Sequence, residues 1–284
     1  EWDGATFSSE GIPLLVADPK DYVEGLGSEW NAELEALPFH ALAHLARYLP
    51  QLQDHTCPLR LALRETLTTH VGNKVELAIE AGCSVGADLQ ALSNISERVI
   101  GFDAYVTPLR YAMRYLSGQS MTIPRRNEGR GFTFVEHEIG ASPMSNVSLL
   151  CADALNPPFL PECADVVVAM NLLDNVPSPL NLLAQMDAIL KPGGLMIVAS
   201  PFNWNDSITP PNEQIAGSLD PEFEGLDSSS ALLKVMEGRS SYHPHLMYTC
   251  VGSQDVDWKV REHDRCAVHF RVHLCTLRKS ESSR

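Results

Sequence analysis

Between residues 75 and 200, five apolar runs of strand length alternate with stretches of helical spacing, and each run stops at a carboxylate, an amide or small polar residues. The runs are 75–80, 98–103, 147–152, 165–170 and 194–200, with helical stretches at 86–95, 108–116 and 179–190. Strands spaced by helices return to a sheet through crossovers, so the pattern predicts a doubly wound, mostly parallel α/β sheet. Two further runs, 257–263 and 267–277, meet at a tight connection around Asp264-Arg265 and predict a closing antiparallel hairpin. In open sheets of this kind ligands bind beyond the carboxyl ends of the strands, which makes the strand-ending residues the candidate site.

The remaining segments surround this unit. Residues 11–17 form a short strand-like run, 31–49 carry helical spacing interrupted near Pro38, and 59–71 continue as helix. Residues 1–70 are therefore expected to be a mainly helical extension that flanks the domain of residues 71–284 and roofs its pocket. Inside that domain, 117–145 is polar, holds Arg125, Arg126 and Arg130 with a strand-like patch at 132–139, and is expected to be an inserted flap. Residues 203–245 are rich in Pro, Gly, Asp and Ser and follow the fifth strand, a place suited to a substrate lid.

Composition narrows the function. With 284 residues, 44% hydrophobic and 20% charged, the chain can bury one sizeable core. Its net charge of −15 repels phosphate backbones and anionic lipid, so neither a nucleic acid nor a membrane is an expected partner. No run approaches the roughly 20 apolar residues of a spanning helix. The seven cysteines are odd in number, scattered and without a CxxC pair, the pattern of free thiols in a reducing, cytoplasmic setting. Oligomeric state is not legible.

The central motif is Val75-Glu76-Leu77-Ala78-Ile79-Glu80-Ala81-Gly82-Cys83-Ser84-Val85-Gly86, a strand entering a small-residue turn and then a helix. Glycine there lets backbone approach a ligand, and the helix start offers free N–H groups. A carboxylate at the strand end, Glu80, suits a cationic or hydroxylated ligand and would repel a pyrophosphate. Seventeen residues past Gly86, Asp103 ends the next strand at a spacing suited to ribose hydroxyls. Asp153 ends the third run, Asn171 and Asp174 follow the fourth, and Lys191-Pro192-Gly193-Gly194 turns directly into the fifth.

Taken together, these motifs resemble the class I S-adenosylmethionine-dependent methyltransferases over residues 71–279, with Ser84 in place of the middle glycine of the acidic Gly-x-Gly-x-Gly turn. The resemblance implies a seven-stranded, Rossmann-like methyltransferase sheet and S-adenosylmethionine as cofactor. It places Glu80, Gly82, Ser84 and Gly86 around the methionine and ribose. Asp103 and Ala104 would meet the ribose hydroxyls, Asp153 and Ala154 the adenine, and Asn171 the methyl end. Three segments, Asn171-Leu172-Leu173-Asp174-Asn175-Val176-Pro177, Ser200-Pro201-Phe202-Asn203-Trp204 with Thr209-Pro210, and Trp258-Lys259-Val260-Arg261-Glu262, are also similar to the mercaptohistidine N-methyltransferase domain of ovothiol biosynthesis. That similarity implies a small-molecule acceptor methylated at an imidazole nitrogen or a thiol.

Methyl transfer from a sulfonium is an in-line displacement that asks mainly for alignment and exclusion of water. The acceptor-side candidates are Asp174, Tyr242 and His243 as catalytic groups and Asn203, Trp204 and His245 as substrate contacts. Two other readings stand beside this one: a non-catalytic subunit of the same fold, and a protein or peptide methyltransferase. His40 and His44 have the i, i+4 spacing of metal ligands but no third ligand nearby in sequence, so no metal is expected. His269, Arg271, His273 and Cys275 alternate with Val268, Phe270, Val272 and Leu274, as on a half-exposed strand.

Overall fold

The structure, a computed structural model, describes residues 6–7, 11–16, 37–139, 143–216 and 221–281. In chain order the elements are β1 (Thr6–Phe7), β2 (Pro13–Leu15), α1 (Phe39–Tyr48), α2 (Pro58–His70), β3 (Val75–Ala81), α3 (Leu89–Ile95), β4 (Ser96–Asp103), α4 (Val106–Leu116), β5 (Met121–Arg126) and β6 (Phe132–His137). They continue with β7 (Val147–Ala152), β8 (Ala164–Met170), α5 (Pro179–Ile189), β9 (Leu190–Ser200), α6 (Ser228–Met236), β10 (Tyr248–His263) and β11 (Cys266–Lys279). The main sheet runs β1-β2-β7-β4-β3-β8-β9-β11-β10, while β5 and β6 pair apart from it.

All seven expected strands are present in a Rossmann-like, methyltransferase order. β7, β4, β3, β8 and β9 are parallel neighbours, and β11 enters antiparallel between β9 and β10. The strand-like run at 11–17 adds β2 beside β7, with Leu14 paired to Cys151, and β1 extends that edge, so the main sheet has nine strands among the described residues. From β3 the chain builds outward through β4 and β7, then returns to build through β8 and β9. The switch in winding therefore falls between the carboxyl ends of β3 and β8.

Alternation along the strands divides the core into two layers. Ala78, Val99, Val166, Val168 and Ile197 point to the face covered by Leu63 and Leu67 of α2, Leu89 of α3 and Leu109 of α4. Ile79, Phe102, Val167, Met196 and Val198 point to the opposite face, covered by Leu182 and Met186 of α5 and Leu232 and Val235 of α6. Helix α1 starts after Pro38 and buries Ala41, Leu42, Leu45 and Ala46, the spacing of an amphipathic helix. The expected start of that helix, residues 31–36, lies outside the described residues.

Three segments differ from the sequence expectation. The 203–245 segment is built into the core: Ile215, Phe223, Leu232, Val235 and Met236 are buried, and α6 starts where the Ser230 N–H donates to Asp227 Oδ1 at 2.7 Å. The Ser228-Ser229-Ser230 run reads as loop, yet behind an aspartate it is an N-cap and first turn. Within the 117–145 flap, β5 and β6 pair as a two-stranded hairpin, of which only the β6 side is strand-like in sequence. The terminal hairpin is much longer than its two apolar runs, because polar residues 248–256 continue β10 with one side in solvent and a register shift between Cys250 and Gly252.

That length matters for the site. β11 pairs with β9 only as far as His273 opposite Ser200, whereas β10 and β11 stay paired out to His263 opposite Cys266. Residues 256–263 and 266–272 thus form an arm projecting past the carboxyl end of β9. Arg47 of α1 pairs with Glu262 of the arm at 2.8 Å, and Arg125 of β5 pairs with the arm's Asp264 at 2.9 Å. The Arg126 and Arg130 guanidiniums lie 5.0 and 4.6 Å from the centre of the Phe39 ring. Arm, flap and α1 therefore form one continuous roof over the carboxyl edge of the sheet.

Candidate functional site

The turn after β3 is held by its neighbour strand. Gly82 and Cys83 N–H groups donate to the Phe102 carbonyl at 2.8 and 3.0 Å, and the Gly86 N–H donates to the Cys83 carbonyl at 2.8 Å. Gly82 and Gly86 have φ of +70° and +78°, and Ser84 sits at +47°. A Cβ on Gly82 would lie 2.8 Å from the Leu172 side chain, so backbone freedom and close approach are both needed there. The same contact places the segment after β8 directly against the turn.

Two buried acceptor atoms flank this switch point without partners: Oε2 of Glu80 and Oδ1 of Asn171. Glu80 is 2% exposed. Burial drives its carboxyl well above the usual range; Asp88 adds to this, Arg60 opposes it and Asp103 adds again. Asn171 holds a left-handed φ of 53°, which amides tolerate better than most side chains, and its N–H donates to the Ala199 carbonyl at 2.7 Å. Unsatisfied buried acceptors are costly, and a donor-rich cation removes the cost. The ammonium end of S-adenosylmethionine is such a group, so the residues present fit this cofactor.

The Asp103 carboxylate closes the other end of the turn. Its Oδ2 accepts from the Ser84 N–H and its Oδ1 from the Tyr105 N–H, each at 2.9 Å. Burial raises its pKa, opposed by N–H donors from Tyr105, Ser84 and Ala104. Each oxygen keeps a second lone pair for a hydroxyl. At the end of β7, Asp153 Oδ1 accepts from the Leu155 N–H at 2.8 Å and Ala154 is buried beside it.

On the acceptor side, Asp174 is buried and ties two strand ends together. Its Oδ2 accepts from the Asn203 N–H at 2.8 Å, fixing the segment after β9 against the segment after β8. Burial raises its pKa, against hydrogen bonds from the Asn203 and Asp174 N–H groups and the Ser200 and Asn175 side chains. Asn203 itself is exposed. Trp204 packs 6.2 Å from Phe202, and its buried Nε1–H has no partner.

The roof reaches this site through α1. His44 Nε2 lies 3.1 Å from Ser84 Oγ, and the His44 ring is 4.6 Å from the Tyr48 ring one turn on. Burial, with Arg47 adding to it, lowers the His44 pKa to about 4, so the ring is neutral at physiological pH. Tyr48 in turn stacks on Trp258 of the arm at 6.3 Å. Sequence reading weighed His44 only as a metal ligand beside His40; His40 is exposed. Among the described residues no group of three or more His, Cys, Asp or Glu side chains gathers as a metal site. The signal for a roof lay in the half-polar His44/Tyr48 line of an otherwise apolar helix.

Tyr242 and His243 lie elsewhere. They line an open groove of about 310 Å³ with Ser178, Leu180, Asn181, Asn212, Glu213, Gln214 and Phe223, which includes none of Glu80, Gly82, Ser84, Asp103 or Asp174. Tyr242 stacks on Phe223 at 6.1 Å, and His245 meets His243 edge-on at 5.4 Å. The three are thus brought together with the start of α5 and not with the turn after β3. On β11, His269 and Arg271 are exposed and His273 pairs with Asp255 at 2.9 Å, while Cys275 is buried under the α5 and α6 layer.

Sheet order, turn and strand-end acceptors together form the arrangement of a Rossmann-like methyltransferase fold. Residues 79–198 match the family model described as a methyltransferase domain. Over 144 residues the chain is 26% identical to the ubiquinone biosynthesis O-methyltransferase of Actinobacillus pleuropneumoniae serotype 7 (strain AP76), covering 50% of this chain and 52% of that protein. With the protein of the same name from Stutzerimonas stutzeri (strain A1501) it shares 26% over 176 residues, 62% of this chain and 58% of that one. The chain spans little more than half the length of these curated relatives.

Among solved structures, the N-methyltransferase NodS of Bradyrhizobium japonicum WM9 in complex with S-adenosyl-L-homocysteine aligns at a TM-score of 0.51 and 15% identity, covering 85% of this chain and 97% of that one. A SAM-dependent methyltransferase from Methanosarcina mazei aligns at 0.51 and 14%, covering 76% and 98%. These likenesses concern the fold. Among the described residues no helix is long and apolar enough to cross a membrane.

Proposed function

We propose that the chain transfers a methyl group from S-adenosylmethionine to a small, flat, polar molecule, at an imidazole nitrogen or a thiol of the mercaptohistidine kind. The observation that carries this reading is the buried, unpartnered Nε1–H of Trp204 in the segment that Asp174 fixes against the turn after β8. A buried donor beside an aromatic ring suits a compact acceptor whose ring stacks while its edge accepts a hydrogen bond. A protein surface would not easily reach it.

S-adenosylmethionine supplies a methyl group made electrophilic by its sulfonium. The chain supplies the rest. Glu80 and Asn171 hold the ammonium end, Asp103 takes the ribose hydroxyls, and Asp153 with Ala154 borders the adenine. Asp174 sets the position of Asn203 and Trp204 on the acceptor side, and the roof excludes water. A neutral nitrogen or a thiolate needs no strong general base, in keeping with an Asp174 already committed to backbone donors. The domain of residues 71–284 carries this chemistry under an extension of residues 1–70, in a cytoplasmic setting in keeping with seven unpaired cysteines.

The ubiquinone biosynthesis O-methyltransferases that this chain resembles favour a second reading, transfer to an oxygen acceptor. A screen of methyl transfer to imidazoles, aromatic and aliphatic thiols, catechols, amines and intact proteins separates the two. Turnover confined to imidazole or thiol compounds is the expected result. Transfer to catechols alone supports the second reading, and efficient methylation of proteins contradicts both.

A further inference from the structure

The roof carries side chains that the cofactor site does not use. Helix α1 passes from the turn after β3 to the arm. At one end His44 Nε2 lies 3.1 Å from Ser84 Oγ; one turn later Tyr48 lies against Trp258 at 6.3 Å and Arg47 pairs with Glu262 at 2.8 Å. The turn that His44 meets is also the one against which Leu172 of the segment after β8 packs. His44 and Tyr48 therefore run from the turn, where it meets the segment after β8, to the arm. Both are half-buried, unlike Leu42, Leu45 and Ala46 beside them, which are buried in the core.

We infer that His44 and Tyr48 form the roof of the acceptor site and orient the methyl acceptor by hydrogen bonding to its edge. This rests on the small-molecule reading above and adds to it the face of the site that the 203–245 segment does not provide. The chemistry of the pair selects the ligand class. With Nε2 engaged by the Ser84 hydroxyl, the neutral imidazole keeps Nδ1 for one hydrogen bond, and the phenol can both donate and accept. Together they match a heteroaromatic ring presenting a donor and an acceptor on one edge. The tilted ring contact with Tyr48 and the contact with Ser84 fix the His44 ring, so its remaining hydrogen bond is preorganised. The arm holds α1 in place from outside through Trp258 and Glu262, so α1 serves as a fixed wall of the site.

Both touch the acceptor in this arrangement, and their test separates acceptor effects from cofactor effects. Tyr48→Phe removes one oxygen and keeps the stack, while His44→Asn removes the ring. With the acceptor found in the screen, each variant is expected to raise the acceptor KM about tenfold or more, and Tyr48→Phe, which leaves the contact of His44 with Ser84 in place, should keep S-adenosylhomocysteine affinity within about twofold of wild type. Tyr48→Phe should also keep the wild-type melting temperature, so it remains decisive if His44→Asn folds poorly. Unchanged acceptor kinetics in Tyr48→Phe, or a parallel loss of cofactor affinity, overturns this inference alone. A wild-type chain that methylates no compound in the panel overturns the inference together with the reading it rests on.

Discussion

At the scale of single residues, the site is built from polar groups buried against their own preference. Glu80, Asp88, Asp103 and Asp174 all have pKa values raised chiefly by burial, whereas that of His44 is lowered to about 4 by burial and then Arg47. For His44 the folded chain binds fewer protons than the unfolded chain between pH 6.5 and about 4. Its contribution is complete above pH 6.5 and is lost as the pH falls toward 4. The raised carboxyls work in the opposite direction over part of that range, so the histidine is isolated by difference. The melting temperature of wild type relative to His44→Asn should fall between pH 7 and pH 4.5, corresponding to a relative loss on the order of 2 kcal/mol. A gap that stays constant across that range would show that His44 takes up its proton as readily folded as unfolded.

At the scale of elements, the site depends on pieces that sequence periodicity showed unevenly. The turn from Glu80 to Gly86 and the strand-ending Asp103, Asp153 and Asn171 were legible because the backbone there needs particular residues at particular spacings. The closing hairpin was only half legible: Val256, Trp258, Val260 and Val272 of the arm alternate clearly, but the first half of β10, before the arm, reads as loop since only one of its faces is covered. Helix α6 was missed because its three-serine start resembles a linker, and its Asp227 cap becomes meaningful only with the buried residues that follow. A roof from residues 1–70 was expected, but the particular approach of His44 to Ser84 joins residues 40 apart and could not be read from local periodicity. Trp258, 8% exposed between Tyr48 and Phe270, joins arm to roof. Trp258→Ala should therefore cost about 3–5 kcal/mol in urea unfolding, as for other large-to-small aromatic truncations in cores. A cost below about 1 kcal/mol would mean that the arm packs without it.

At the scale of the whole molecule, an acidic chain with a net charge of −15 surrounds a crevice whose unpartnered acceptors call for a cation. The overall field and the local site favour the same kind of ligand, and both disfavour polyanions. The sheet order locates the crevice at the winding switch between β3 and β8, and the roof of α1, flap and arm covers it. The central claim is that this crevice binds S-adenosylmethionine through the turn after β3, and calorimetric titration of the full chain tests it most directly. The expected result is saturable one-to-one binding that Asp103→Ala weakens by about 10- to 100-fold, the loss of charge-assisted bonds worth about 1.5–3 kcal/mol, with the fold intact by circular dichroism. No heat of binding to the wild-type chain, or an affinity that Asp103→Ala leaves unchanged, would contradict it.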